Sequence, residues 1–114
     1  MNYILQIYSG EVNSVWESLS ESEQNAVMGE YMAINQAPGV TGGAQLQDAS
    51  TATTVRVQDG RTLTTDGPFP ETKEALGGYY LLEAEDLDQA IELAARIPAA
   101  RMGGAVEVRP LVQR

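Results

Sequence analysis

The sequence predicts an α+β fold, an antiparallel sheet with two helices on one of its faces. Three observations predict it. Runs of β-forming residues alternate with helical periodicities along the chain. An Asp59-Gly60 dipeptide joins two of the β runs as a hairpin. And 114 residues, 43% hydrophobic and 20% charged, make one globular domain spanning 1–114.

Asn2 to Tyr8 is dense in β-formers and stops at Ser9-Gly10, which reads as a strand. Val12 to Leu19 is amphipathic and predicts a short helical turn carrying Trp16. Ser20 and Glu23 then have the spacing of a capping box, in which each side chain satisfies an amide left open by the other's backbone. Val27, Tyr31 and Ile34, four and three apart, mark one buried face of the helix that follows, which must stop near Ala37, before Pro38-Gly39. Val40 to Gln47 is a weak strand, loosened by Gly42-Gly43. Thr53 to Gln58 and Arg61 to Thr64 flank Asp59-Gly60 and predict a type I′ hairpin. After Gly77-Gly78, Tyr79 to Ala84 is another strand. Asp86 and Gln89 resemble a second capping box, and Leu87, Ala90, Ile91, Ala94 and Ile97 share a helical face that Pro98 ends. Ala105 to Val112 is the last strand. This order is that of a ferredoxin-like sandwich with both helices on one side of the sheet.

Strand alternation sorts the two faces of the sheet. Val106 and Val108 point one way, Glu107 and Arg109 the other; in the hairpin, Val55 and Val57 oppose Arg56. With the valines against the helices, the open face carries Arg56, Glu107 and Arg109. Ile4, Gln6, Tyr8, Tyr79, Leu81 and Glu83 join them. A face half apolar and half charged is expected to be covered by a second copy across a two-fold axis.

Composition removes several functions. The net charge of −9, with one lysine and six arginines, speaks against nucleic acid and against anionic membrane surfaces. The chain has no cysteine and no histidine, which excludes disulfides, thiolate chemistry, Cys-ligated zinc and a Ser-His-Asp scheme. No acidic cluster has cation-loop spacing and no phosphate-binding loop motif is present, so neither metal nor cofactor is expected. Without a basic-then-apolar leader or a span of about 20 apolar residues, the expected location is cytoplasmic.

Thr53 to Pro110, which contains "TTDGPFPETKEALGGYYLLEAEDLDQAIELAARIP", resembles the DGPF-domain branch of the YCII-related proteins. The resemblance extends to "YILQIY" and to Trp16-Glu-Ser-Leu-Ser20, and its most specific signature is Asp66-Gly-Pro-Phe69 with Glu71-Thr-Lys-Glu74. It implies a small bacterial protein that dimerises through its sheet as a dimeric α/β barrel. That fold is similar to muconolactone isomerases and antibiotic-biosynthesis monooxygenases, whose ligands sit between sheet and helices or at the dimer cleft. The branch has no assigned reaction and is associated with alternative sigma factors. The His–Asp pair of some relatives does not carry over, because histidine is absent and Ile97 stands before Pro98 where those relatives have aspartate.

The candidate residues each have two readings. Asp66 is either a general base or the first residue of an Asp-Gly-Pro turn. Phe69 either fills the core or stacks on a ligand, and Lys73 is either solvated or an anion contact. Arg56 and Arg109 offer guanidinium forks to a carboxylate or phosphate, or are tied up by Glu83 and Glu107 on neighbouring strands. Tyr8 and Tyr79 donate hydrogen bonds to a ligand or simply pack, and Trp16 either anchors the first helix or lines a pocket. Three functions follow: a dimer that binds a small organic, anionic ligand beside the open sheet face; a cofactor-free isomerase or oxygenase using Asp66 for proton transfer; or a regulatory dimer beside a sigma factor.

Overall fold

The fold is given by a computed structural model, and the structure describes residues 1–67 and 75–113. The strands are β1 (Asn2–Tyr8), β2 (Val40–Gln45), β3 (Thr53–Gln58), β4 (Arg61–Asp66), β5 (Leu76–Glu83) and β6 (Ala105–Pro110). The helices are α1 (Val12–Ser18), α2 (Glu21–Asn35) and α3 (Leu87–Ala95). Four strands form one antiparallel sheet in the order β2-β5-β1-β6. With the hairpin set aside, the element order is β-α-β-β-α-β, and each helical crossover carries the chain past a neighbouring strand. That is the ferredoxin-like α+β arrangement that the sequence predicts.

The hairpin departs from expectation. β3 and β4 pair with each other and form their own two-stranded sheet. Val55 and Val57 are 59% and 71% exposed, so they do not meet the helices. The local signal was sound: Asp59 and Gly60 have φ of 52° and 75°, the two positive values that a type I′ turn needs. What local signal cannot fix is which further strand a hairpin joins. Here it is an insertion between β2 and β5 that projects from the body. The radius of gyration, 16.0 Å, exceeds the roughly 13 Å of a compact chain of this length.

The core lies between the sheet and its helices. β1 alternates as predicted: Tyr3 and Leu5 are buried at 2% and 0% exposure, while Ile4 and Gln6 face the other way. From α2, Val27 and Ile34 pack inward, with Tyr31 half-buried beside them. In α3 the inner face is Ala90, Leu93 and Ala94, continued by Ile97 at the same i, i+3, i+4, i+7 spacing. Leu87 and Ile91, expected on that face, are each 48% exposed, because they lie on its flank. Each fully buried Leu or Ile stabilises the fold by about 1.5–3 kcal/mol.

The ends of the elements follow their sequence signals. Ser20 Oγ accepts from the Glu23 N–H at 3.1 Å, and the Ser20 N–H donates to Glu23 Oε1 at 3.0 Å. At α3, Asp86 caps Gln89 at 2.9 Å, but the Gln89 side chain reaches the N–H of Glu85 rather than that of Asp86. Pro98 opens a 3₁₀ turn, Pro98–Arg101, two residues beyond the helix cap at Arg96. Gly77 and Gly78 lie inside β5 rather than before it. The strand needs glycine there: a Cβ on Gly78 would stand 2.9 Å from the Ala44 carbonyl of β2.

Two outcomes follow. Replacing Ser20 with alanine should lower stability by about 1 kcal/mol in a urea titration, through loss of the N-cap. Burial raises the phenol pKa of Tyr31 and of Tyr80 above the ordinary 10.0, and the two rings reinforce the effect at Tyr80. The folded state thus favours the neutral phenols. Their contribution is complete below about pH 10 and is lost as pH rises through the raised values. Unfolding midpoints measured against pH should therefore fall in that alkaline range, and Tyr80→Phe should blunt the fall.

Candidate functional site

Because both long helices pack on one side, the other side of the sheet is left to the residues that alternate with the core. Register places them in rows. Ile4 on β1 stands between Leu81 of β5 and Arg109 of β6. Gln6, the next residue on that face, stands between Tyr79 and Glu107. Tyr8 follows at the end of the strand, opposite Ala105. Across β5, Leu81 and Tyr79 are flanked by Gly42 and Ala44 of β2, which leave that end of each row without bulk. Directly opposed side chains of this kind are about 4.5–5.5 Å apart at Cβ, so each row is one continuous surface. Four sequence-level expectations meet here: Tyr8, Tyr79, Arg109 and the mixed apolar character given by Ile4 and Leu81.

Arg109 is partnered along its own strand rather than across to Glu83. Its Nη2 stands 2.7 Å from Glu107 Oε1, two residues back on the same face. The contact is coulombic, since Glu107 Oε1 is sheltered from water yet accepts no hydrogen bond among the described residues. The two side chains are 67% and 42% exposed, and a pair so placed contributes little to stability. It does orient the guanidinium, whose five N–H donors are far from used up by one carboxylate oxygen.

The other candidates lie elsewhere. Arg56 is on β3 opposite Leu63, in the hairpin rather than on the face with Arg109. The physical reason is the one above: the hairpin does not join the four-stranded sheet. Asp66 ends β4, opposite Thr53, and is exposed. The bonds that close the base of the hairpin come from its neighbour. The Gly67 N–H donates to Ala52 O at 2.7 Å, and the Gly67 carbonyl accepts from Thr54 Oγ1 at 2.7 Å. Gly67 has φ 101°, where glycine is favoured. Phe69 and Lys73 lie outside the described residues. Trp16 is half-buried on α1, and its carbonyl accepts from Gln24 Nε2 at 2.9 Å, tying α1 to α2.

Two depressions open elsewhere on the described surface. One of about 610 Å³ lies at an end of the sandwich, between Met1, Pro38, Leu82, Glu85, Glu92 and Arg96. Sequence reasoning did not find it, because three distant segments build it and none carries a motif. With Glu83, Glu85 and Glu92 against one arginine, it disfavours an anion. A second, of about 380 Å³, lies between α2 and α3 by the ion pair of Glu30 and Arg101. The first borders the open face at Glu83, and the second does not reach it. No group of three or more carboxylates is placed to hold a metal ion among the described residues, and none of their helices is long and apolar enough to cross a membrane.

The YCII-related domain family model matches residues 1–113. An uncharacterized protein of Rhizobium meliloti (strain 1021) is 37% identical over 117 residues, covering 97% of this chain and 92% of that protein. An exposed carboxylate at a strand end should be replaceable at little cost. Asp66→Asn is expected to change stability by less than about 0.5 kcal/mol, whereas Gly67→Ala, which strains a positive φ, should cost more. Paired denaturation curves distinguish the two.

Proposed function

Since the chain belongs to the YCII-related family, we propose that it acts as a homodimer whose open sheet faces come together around a small organic anion. The observation that carries this reading is the sheet face opposite the helices, where half-buried Ile4, Leu81 and Tyr79 adjoin Gln6, Glu107 and Arg109 in two aligned rows. Apolar side chains supply the walls, and a guanidinium already oriented by Glu107 supplies the fork for a carboxylate or phosphate. Tyr8 and Tyr79 add hydroxyl donors at the same surface. Pairing the faces also lowers the local dielectric, which strengthens the contact between Arg109 and an anion. The absence of histidine fits a binding role better than acid–base turnover near neutral pH.

A thermal-shift screen with small aromatic and aliphatic carboxylates and organic phosphates tests the reading. One chemical class should raise the melting temperature, with binding adding about 2.7 kcal/mol at a hundredfold excess over Kd. Arg109→Ala should abolish that rise while leaving the unliganded melting temperature nearly unchanged, because the Arg109–Glu107 pair is exposed. A screen that finds no such class, or a rise that survives Arg109→Ala, rejects the reading.

A further inference from the structure

We propose that the β3–β4 hairpin is an arm that packs on a second copy of this chain, through the face carrying Val55, Val57, Thr62 and Thr64. The inference rests on the homodimer reading above and adds a second contact to it. Register sets the composition of the arm's two faces. Val55 is paired with Thr64, Val57 with Thr62 and Thr53 with Asp66, so these six share one face. Arg56, Leu63 and the other alternating residues occupy the reverse.

The valine face is built for burial, yet its two valines are largely exposed among the described residues. Val55 and Val57 are 59% and 71% exposed, and the two strands pair with no third among the described residues. A hairpin of two strands alone is marginally stable in water and needs a surface to lie on. The face has the β-branched composition of a packed sheet and no charge until Asp66 at its base.

Two arguments identify the occupant as a second copy. The first is electrostatic. Each chain carries a net charge of −9, so two copies repel overall, and the stretch of the arm carrying Val55, Val57, Thr62 and Thr64 adds a contact without adding to that repulsion. The second is area. Four strands about 4.8 Å apart and six residues long present a sheet face of roughly 380 Å². A standard interface takes about 800 Å² from each partner, so sheet pairing alone falls short. The arm adds roughly 190 Å², and it covers as much on the other copy, which brings each protomer to about 760 Å². Among the described strands the arm pairs only within itself, which leaves its valine face largely exposed for that contact. Asp66 shares the docking face, so in the dimer it is carried onto the other protomer rather than facing its own sheet.

The natural absence of cysteine makes the test clean. Val57→Cys and Gln58→Cys place single thiols on opposite faces of the same strand. Each is reacted with a small thiol reagent at high protein concentration and after dilution into the monomer range, with sedimentation run on the same samples. In the dimer, the thiol of Val57→Cys should react at least about tenfold more slowly than after dilution, while that of Gln58→Cys changes little. Loss of the dimer in Val57→Cys alone supports the arm equally. Equal reactivity of the two thiols in a chain that sediments as a dimer overturns the arm and leaves sheet pairing standing. A wild-type chain that sediments as a monomer at every concentration overturns both.

Discussion

The alternation of side chains along β1 is the constraint on which the rest of the molecule depends. β1 is an inner strand, hydrogen-bonded to β5 and β6. Its odd residues, Tyr3 and Leu5, enter the core, and so its even residues must line the opposite face. A slip of one residue would exchange the two sets and place Gln6 against α2 and α3. Once that register is set, Tyr80 and Leu82 are drawn into the same core from β5, and Val106 and Val108 pack on it from β6. Arg109 and Tyr79 are then fixed on the far side. The core and the candidate site are thus two consequences of one periodicity.

That coupling explains how much was legible in the sequence. Most features governed by near neighbours are legible: the Ser20–Glu23 capping box, the turn at Asp59-Gly60, the inward spacing of Val27 and Ile34, and the outward row of Glu107 and Arg109. Two differences arise from contacts between distant segments, and a third from the breadth of a helical face. Arg56 was assigned to the open face because a hairpin beside other strands normally extends their sheet, and nothing local says that β3 and β4 stand apart. Gly77 and Gly78 read as a break, yet Gly78 lies within β5, where the Ala44 carbonyl of β2 leaves no room for a Cβ. Leu87 and Ile91 were counted inward because periodicity defines a face only to within a flank. Leu93 was missed for the same reason, although it completes the inner set.

The functional reading grows from the sheet face opposite the helices. A chain without histidine or cysteine has few routes to acid–base or nucleophilic chemistry, but it retains what binding requires: a shaped apolar surface and a directed cation. Glu107 matters here less as a source of stability than as an orienting group for Arg109. The hairpin extends the same logic. It displays valines where solvation is unfavourable, and between Val55 and Thr64 that face carries no charge to add to the repulsion between two acidic copies. Family membership is compatible with these inferences and supplies no substrate.

The central claim is that the open sheet face is an interface, and sedimentation equilibrium of the wild-type chain beside Ile4→Asp tests it most directly. Ile4 sits at the middle of its row between Leu81 and Arg109 and outside the core, so the variant should keep the circular dichroism of the wild type. The account predicts twice the 12.3 kDa chain mass for the wild type and a single chain mass for the variant. A wild-type monomer, or a dimer that Ile4→Asp leaves intact, would contradict it.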